Sequence, residues 1–255
     1  MGLKEKFDLT GRRAVVTGGA RGIGQACAEA LAEYGVNLAI ADILEQELAE
    51  TTADLAKRYG VKTQGVVCDV TDSAAVDKLV EEGAAGLGGL DIFVNSVGIT
   101  IWEPSISTSD EQWNKVINTN LNAAFYQSRA AGRQMLEQGQ GSIIHIASMS
   151  GSIVNQPQAQ TSYNASKAGL MHMVRSLAAE WASRGVRINT LSPGYTLSVM
   201  TYTVEEHFPY WNTLIPMGRM AEPEELVGAL IYLASDAASY TTGHDLVIDG
   251  GYTCW

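Results

Sequence analysis

The sequence predicts a single α/β domain in which a doubly wound, seven-stranded parallel sheet is flanked by helices. Short apolar runs without polar alternation recur along the chain, as expected of strands that are covered on both faces. These runs alternate with segments of helical periodicity, which is the pattern of βαβ units. The length of 255 residues suits one domain, and no repeat or linker interrupts it, so we expect one unit over residues 1–255.

The elements can be assigned in order along the chain. The apolar runs predict strands at 13–17, 37–42, 63–68, 90–95, 141–148, 186–191 and 244–249. Helical periodicity predicts helices at 22–34, 44–59, 73–85, 109–138, 161–184 and 222–235. We expect the long fourth helix to break near Asn120, and the glycine-rich stretch 83–89 to end the third helix.

The first strand runs into a glycine-rich turn, Thr17-Gly18-Gly19-Ala20-Arg21-Gly22-Ile23-Gly24. Glycines allow a tight turn and let the backbone approach a pyrophosphate closely. The N-terminus of the following helix offers free N–H groups and a partial positive charge to phosphates. The spacing is G-x-x-x-G-x-G rather than G-x-G-x-x-G, and such turns also occur as plain structure. The meaning of the turn therefore depends on the residues that accompany it.

Asp42 ends the second apolar run, about 20 positions beyond the glycine turn. A carboxylate at that place accepts hydrogen bonds from the ribose hydroxyls of a dinucleotide and repels the 2′-phosphate of NADP. Asp42 could also cap the helix that begins near Leu44. Arg21 acts in the opposite sense, because a cation in the glycine turn attracts a 2′-phosphate. We expect NAD as the cofactor, with NADP as the less favoured alternative.

Tyr163 and Lys167 lie four residues apart in a predicted helix and so share one face. A free tyrosine has a pKa of about 10 and is a poor acid or base at neutral pH. A nearby cation favours the phenolate and lowers that pKa, which suits proton transfer. Taken alone, the pair would also fit an ordinary surface helix.

These motifs and those that follow them resemble the short-chain dehydrogenase/reductase family, over nearly the whole chain from Leu9 onward. The matching segments include Cys68-Asp69-Val70, Asn95-Ser96-Val97-Gly98, Asn118-Thr119-Asn120-Leu121 and Pro193-Gly194. The resemblance implies a Rossmann-type fold and hydride transfer between NAD(H) and a secondary alcohol or ketone. Cofactor binding is then assigned to Gly18, Arg21, Gly22, Ile23, Gly24, Asp42, Asp69, Val70, Asn95, Gly98, Tyr163, Lys167, Pro193, Gly194 and Ser198.

The same resemblance implies four catalytic residues, namely Asn120, Ser148, Tyr163 and Lys167. Tyr163 would exchange a proton with the alcohol, and Lys167 would lower its pKa and hydrogen-bond the nicotinamide ribose. Ser148 would donate to the developing alkoxide or carbonyl oxygen. Asn120 would interrupt its helix and hold a water that links Lys167 to solvent; read from the residue alone, it could equally be a core asparagine.

The chain departs from the family pattern at three places. Ser96-Val97 stands where asparagine and alanine are usual, and Ser198 stands where threonine is usual. Fifteen positions separate Ser148 from Tyr163, two more than in the family, and the usual spacing would select Ser150. We prefer Ser148 because it follows the apolar strand directly and precedes Gly151 at the family's interval.

The loop from Ser152 to Gln160 is similar to that of a branch acting on sugar alcohols and ketoses. Amide side chains suit hydroxyl-rich ligands, which need many directional hydrogen bonds. We predict substrate contacts at Ser148, Ser150, Asn155 and Tyr163, with Gln156, Gln158 and Trp102 as further candidates. The segment 196–216 follows Pro193-Gly194 and is rich in aromatic residues; we expect it to form a substrate lid rather than an ordinary surface excursion.

Composition narrows the remaining functions. The net charge of −11 and the lack of a basic cluster predict no nucleic-acid partner. The three cysteines have no metal-ligand spacing, and the four histidines are scattered, with His145 expected in the core. The N-terminus has no apolar signal region and the chain has no apolar run of membrane-spanning length, so we expect a cytoplasmic protein without a membrane partner.

Alternative functions remain open at this stage. A 3-oxoacyl-carrier-protein reductase uses the same catalytic core, but docking an acidic carrier protein favours a basic surface, which the charge of −11 argues against. A steroid-type dehydrogenase would suit the aromatic segment 196–216. A non-enzymatic dinucleotide sensor has no need of the serine, tyrosine and lysine together. The family resemblance also implies a homotetramer, with which the apolar faces of 161–184 and 222–235 are compatible.

Overall fold

The computed structural model describes residues 2–254; Met1 and Trp255, which belong to the expected 1–255 unit, lie outside the described residues. Its strands are β1 Arg13–Thr17, β2 Asn37–Asp42, β3 Thr63–Val67, β4 Ile92–Asn95, β5 Gly141–Ile146, β6 Val186–Pro193 and β7 Asp245–Ile248. They form one parallel sheet in the order β3-β2-β1-β4-β5-β6-β7. The predicted seven-stranded parallel fold is therefore confirmed.

Helices cover both faces of this sheet. They are α1 Leu3–Lys6, α2 Gly22–Glu33, α3 Glu45–Tyr59, α4 Ser73–Leu87, α5 Asp110–Ile117, α6 Ala123–Gln138, α7 Thr161–Trp181, α8 Phe208–Leu214 and α9 Val227–Ala234. Successive strand residues enter opposite cores: Val15 packs with α4, α6 and α7, whereas Ala14 and Val16 pack with α2, α3 and α9. Burial on both faces explains why the strand sequences are apolar without alternation.

The boundaries differ from prediction where tertiary contacts act. β5 ends at Ile146, two residues early, because Ser148 caps a 3-10 turn by accepting the backbone N–H of Ser150. β6 continues to Pro193 because it pairs with β7 to its end. The predicted helix 109–138 is divided into α5 and α6 by a π-helical turn over Asn118–Asn122, so the expected break near Asn120 is confirmed.

Two predicted helices also end differently. The last turn of the predicted helix 161–184 is 3-10, over Ala182–Arg184 beyond α7, and the predicted helix 222–235 begins as a 3-10 turn, Pro223–Glu225, ahead of α9. The segment 196–216 contains a further 3-10 stretch, Thr201–His207, and α8. Within residues 2–254, no helix has the length and apolarity needed to cross a membrane.

The sheet order reverses between β1 and β4. From β1 the chain winds outward to β3, and from β4 it winds the other way to β7. Parallel strands bring all their carboxyl ends to one edge, and a crevice opens where the winding direction changes. The fold therefore collects the loops that follow β1, β2, β4, β5 and β6 around one crevice.

Candidate active site

A cavity of about 1240 Å³ occupies the carboxyl edge of the sheet. It runs from the glycine turn, past the ends of β2 and β3, to the segment 196–216. Its wall includes every predicted cofactor, catalytic and substrate residue except Asn95, Asn120 and the further candidate Gln156. The structure thus brings together residues that are more than 150 positions apart in the sequence, such as Gly18 and Ser198.

The glycine turn packs directly on the start of α2. Gly18 has φ of +69°, in the left-handed region that favours glycine. A Cβ on Gly24 would lie 2.0 Å from the Gly18 carbonyl oxygen, so no larger residue fits there without displacing the turn. This close approach directs the N-terminus of α2 at the cavity, which suits a bound phosphate.

The Asp42 carboxylate is held by backbone groups of the loops after β1 and β2. Because α3 has no side-chain cap at its N-cap residue Leu44, the capping role is wrong, while the ribose-binding role stays a prediction. The Asp42 Oδ2 accepts the backbone N–H of Ala20 at 3.1 Å, and its Oδ1 accepts the N–H groups of Ile43 and Leu44 at 2.8 and 3.2 Å. These bonds hold the carboxylate at the cavity wall, where Arg21 also lies, more exposed. The carboxylate is therefore fixed in position while the guanidinium is free to move, a difference that the sequence did not reveal.

Asp69 and Val70 follow β3 at the same edge of the sheet. The Asp69 Oδ1 accepts both the backbone N–H and the hydroxyl of Thr71, at 2.9 and 2.7 Å. Val70 is 5 % exposed. Both line the cavity, so the structure brings them to the wall where the other predicted cofactor residues lie.

Asn95 lies beneath the cavity and is not part of its lining. Its Oδ1 accepts the backbone N–H of Val97 at 3.0 Å, and its Nδ2 donates to Nδ1 of His145 at 3.0 Å. The other ring nitrogen of His145 then carries the proton and donates to the Ser128 hydroxyl at 2.8 Å. Burial, assisted by the charge of Lys167, lowers the pKa of His145 to about 3, so this ring is neutral. Asn95 therefore shapes the turn after β4, and the expectation that His145 is a core residue agrees with the structure.

Tyr163 and Lys167 lie on one face of α7, as their spacing predicts. The Lys167 Nζ is 5.6 Å from the centre of the Tyr163 ring and donates to the Ile146 carbonyl at 2.9 Å. Lys167 is 3 % exposed, and burial lowers its pKa from 10.5 to about 8. Gly98 makes room for it, since a Cβ there would lie 3.3 Å from the Lys167 Nζ.

The pKa of Tyr163 is raised from its ordinary value, because burial penalises the phenolate. The Ser148 hydroxyl acts in the opposite direction but does not offset this cost. The expectation that Lys167 leaves the tyrosine with a lowered pKa is therefore wrong for this structure. Loss of water around the ring is the larger of the two effects on this pKa.

Asn120 occupies the π-helical turn and is 1 % exposed. Its Oδ1 accepts the backbone N–H of Ile99 at 2.9 Å, and its Nδ2 donates to the Ile99 carbonyl at 2.9 Å and to the Ser166 hydroxyl at 3.0 Å. The side chain therefore joins the segment after β4 to α7 and is satisfied by protein atoms. This is the core asparagine considered from sequence, and its water-holding role stays a prediction.

The two candidate serines differ in what they contact. The Ser148 hydroxyl donates to the Ser150 hydroxyl at 3.0 Å, and the Ser150 hydroxyl donates to Oδ1 of Asn155 at 2.5 Å. Ser148 is the one whose hydroxyl affects the Tyr163 phenol. The contacts favour Ser148 as the serine next to the chemistry and give Ser150 the role of holding it.

The structure adds residues that sequence reasoning did not single out. Gln160 lines the cavity and bonds Asn164, and Tyr195 lines it with its ring stacked on Trp211 at 4.2 Å between ring centres. Trp102 and Gln158, two of the further candidates, also line the cavity, whereas Gln156 is exposed and does not. The position of Tyr195 directly after Pro193-Gly194 was the one available signal.

Comparison with known proteins identifies the family. The family described as Enoyl-(Acyl carrier protein) reductase matches residues 18–253. The solved structure of a short-chain type dehydrogenase/reductase from Mycobacterium marinum covers 100% of both chains at 39% identity and a TM-score of 0.96. This chain belongs to the short-chain dehydrogenase/reductase family. As a member, it is an oxidoreductase that uses a nicotinamide dinucleotide.

Relatives within the short-chain dehydrogenase/reductase family carry more specific names. A galactitol 2-dehydrogenase of Rhizobium johnstonii is 43% identical over 100% of both chains. A probable NADP-dependent mannitol dehydrogenase of Yarrowia lipolytica is 43% identical over 99% of this chain and 91% of its own. A sorbose reductase of Candida albicans is 42% identical over 97% of this chain and 89% of its own. The chain is similar to each of these over its full length.

Proposed function

We propose that this protein oxidises a sugar alcohol to the corresponding ketose, reversibly, with NAD(H). The observation that carries the proposal is one cavity that joins the glycine turn to Ser148 and Tyr163 and ends against the amides of Asn155 and Gln158. Relatives that match over the whole chain are named for galactitol, mannitol and sorbose. Hydroxyl-rich ligands are the ones that an amide-lined cavity recognises best.

The residues present fit a dinucleotide. The contact between Gly18 and Gly24 leaves a cradle that a Cβ would fill, and the fixed Asp42 carboxylate stands at the end of β2. We assign the binding of this cofactor to Gly18, Arg21, Gly22, Ile23, Gly24, Asp42, Asp69, Val70, Gly98, Tyr163, Lys167, Pro193, Gly194 and Ser198, with Asn95 acting from beneath. When bound, the nicotinamide supplies the acceptor or donor of the hydride. We favour NAD because Asp42 is held in place and Arg21 is not, although several relatives are named NADP-dependent.

The chain's own residues would divide the proton chemistry among them. Tyr163 takes the proton of the alcohol during oxidation and returns it during reduction. The Ser148 hydroxyl, which donates to Ser150 in this structure, would turn to donate to the substrate oxygen as charge develops there. Lys167 places a cation beside the phenol, and Asn120 holds the backbone after β4 against α7.

One second function has an observation in its favour. The matching family carries the description of a carrier-protein reductase. Docking an acidic carrier protein would favour a basic surface, and the net charge of −11 opposes it. The names of the relatives at 40% identity or more favour the sugar alcohol.

A turnover screen tests the proposal. The purified protein is assayed with NAD and with NADP against galactitol, mannitol, sorbose, a 3-oxoacyl thioester and a steroid alcohol. We expect polyol oxidation or ketose reduction with NAD to dominate, and Tyr163→Phe to lose about 10²-fold or more in kcat. Turnover of the thioester or steroid without any polyol would reject the proposal, and full turnover by Tyr163→Phe would reject the catalytic assignment.

Three further assignments belong to the same proposal. The segment 196–216 is proposed as a lid, supported by Thr201, Val204 and Trp211 in the cavity wall. A cytoplasmic location is supported by the free thiols of Cys27, Cys68 and Cys254. A homotetramer rests on the family alone, because the apolar faces of α7 and α9 pack into the core of the same chain. Light scattering on the eluted protein measures the oligomeric state.

A further inference from the structure

Tyr195 connects three parts of the site. It directly follows the Pro193-Gly194 turn and is 8 % exposed. Its ring stacks on Trp211 of α8, with the ring planes 12° apart. Its hydroxyl accepts hydrogen bonds from the side-chain amides of Gln158, at 2.8 Å, and Asn155, at 3.4 Å. The Tyr195 side chain therefore connects the amides of the loop from Ser152 to Gln160 with the proposed lid, the segment 196–216.

The amides keep free donors at the cavity. A side-chain amide nitrogen carries two protons. Within residues 2–254, the Nδ2 of Asn155 and the Nε2 of Gln158 each bond one partner, the Tyr195 hydroxyl. Both side chains line the cavity. Each thus retains one N–H that a hydroxyl oxygen of a ligand can accept.

The side-chain oxygen of Asn155 is already hydrogen-bonded. This oxygen, Oδ1, accepts the Ser150 hydroxyl, which in turn accepts the hydroxyl of Ser148. The bond to Tyr195 and the bond to Ser150 together set the plane of the amide, so that the free N–H has one direction. Within residues 2–254, the side-chain amide of Gln158 bonds only Tyr195, whose hydroxyl oxygen lies 2.8 Å from its Nε2 and 3.1 Å from its Oε1, so its orientation depends on Tyr195.

We propose that Tyr195 is a positioning residue, which presents the amide N–H groups of Asn155 and Gln158 to substrate hydroxyls remote from the reacting carbon. It thereby sets a preference for polyols over simple secondary alcohols. The proposal rests on the proposed function. Burial raises the pKa of the Tyr195 phenol above its ordinary value. Tyr195 therefore stays protonated at neutral pH and takes no part in proton transfer.

Tyr195→Phe tests this role, since it removes the hydroxyl and keeps the ring that stacks on Trp211. The substrates are galactitol, which has hydroxyls along its whole length, and butane-2,3-diol, which has none beyond the reacting pair. We expect the ratio of kcat/KM for galactitol over kcat/KM for the diol to fall about tenfold, mainly through KM for galactitol. The Kd for NAD, from fluorescence titration, should stay within about twofold of wild type.

Tyr240→Phe is the matched control. Tyr240 is fully exposed and lies outside both the cavity wall and the proposed lid, so its ratio should equal that of wild type. A double-mutant cycle with Gln158→Met adds a readout that general loosening would not give. If Tyr195 acts through Gln158, the double variant should lose less galactitol kcat/KM than the product of the losses in the two single variants.

The outcomes are distinguishable. If the wild-type protein oxidises no polyol, the proposed function fails. If it does, and Tyr195→Phe lowers both substrates equally or neither, the positioning role of Tyr195 is rejected while the function stands. If thermal melting shows that Tyr195→Phe does not fold, Gln158→Met alone is used: a loss confined to galactitol supports the role, and an equal loss on both substrates contradicts it.

Discussion

At the scale of single residues, burial of the Lys167 ammonium lowers the stability of the folded chain. Lys167 is 3 % exposed, bonds one carbonyl, and pairs with no carboxylate within residues 2–254. Burying an ammonium in this way disfavours its charge, which is why its pKa falls to about 8. The residue is retained at the expense of stability, as is common where a group is needed for chemistry.

Replacing Lys167 by methionine should therefore stabilise the protein and abolish its activity. The sign follows from the lowered pKa: between about pH 8 and 10.5 the unfolded chain still holds the proton that the folded chain has lost, so wild-type stability rises with pH there. Below about pH 8 the whole penalty applies, up to about 3 kcal/mol. Urea unfolding at pH 7 and pH 10 should show a gain for Lys167→Met at pH 7 that shrinks at pH 10.

Lys57→Met is the control for this measurement, because Lys57 is exposed near the end of α3. It should change the free energy of unfolding by less than about 0.5 kcal/mol at both pH values. A Lys167→Met protein that is less stable than wild type at pH 7 would contradict the account of a costly buried charge.

The raised pKa of Tyr163 predicts that kcat depends differently on pH in the two reaction directions. The phenol stays protonated at neutral pH, which suits donation to a ketone. Oxidation needs the phenolate, whose fraction grows as pH rises towards and beyond 10. We expect kcat for oxidation to rise from pH 7 to 9 while kcat for reduction does not. An oxidation rate independent of pH over this range would show that Tyr163 is not the group that takes the proton.

At the scale of elements, the loops after β1 and β2 carry the two side chains that we propose discriminate between NAD and NADP. Asp42 is held by three backbone N–H groups, while Arg21 is the exposed N-cap residue of α2. In the proposed site, the Asp42 carboxylate would repel the 2′-phosphate of NADP and the Arg21 guanidinium would attract it. The balance between these two side chains should therefore set the preference between the two dinucleotides.

Two substitutions should shift that preference in opposite directions. Asp42→Asn removes the negative charge, and the ratio of kcat/KM with NADP to kcat/KM with NAD should rise at least about tenfold. Arg21→Gln removes the positive charge and should lower the same ratio. Both are measured with one polyol at fixed ionic strength. A rise in both variants, or no change in either, would show that neither side chain meets the adenosine ribose.

At the scale of the whole molecule, cofactor binding should stabilise the folded chain, because the site exists only when the loops after β1 to β6 are assembled. NAD at 100 times its Kd should add about 2.7 kcal/mol. For a chain of this size that corresponds to a rise in Tm of about 5–10 °C. Scanning fluorimetry should show this shift with NAD and a smaller one with NADP at equal concentration. The absence of a shift with both would contradict the proposed site.

The elements and the site were predictable to different degrees. Strands and most helices follow from short-range patterns, namely apolar runs and turn glycines, and the i, i+4 spacing places Tyr163 and Lys167 on one helix face. The catalytic roles of Ser148, Tyr163 and Lys167 came from the family resemblance. Two strand ends could not be predicted in this way. β5 ends at Ile146 because Ser148 caps the turn that follows it, and β6 extends to Pro193 because it pairs with β7. Asn95 and Asn120 lie outside the cavity wall and hold the segment after β4, and their expected roles in cofactor binding and catalysis stay predictions.

The sequence by itself determined the sheet, the glycine turn and the shared helix face of Tyr163 and Lys167, because those signals are local; the hydride chemistry was implied by the family resemblance. Only the tertiary structure decided how Tyr163 and Lys167 titrate, because burial depends on segments far away in the chain. It also decided that Tyr195 meets Gln158 and Trp211, since Gln158 lies in the loop before α7, Tyr195 follows β6 and Trp211 belongs to α8, and only the folded sheet brings these segments together. Hydrogen bonds and loss of water are properties of that assembled edge, and no local pattern encodes them.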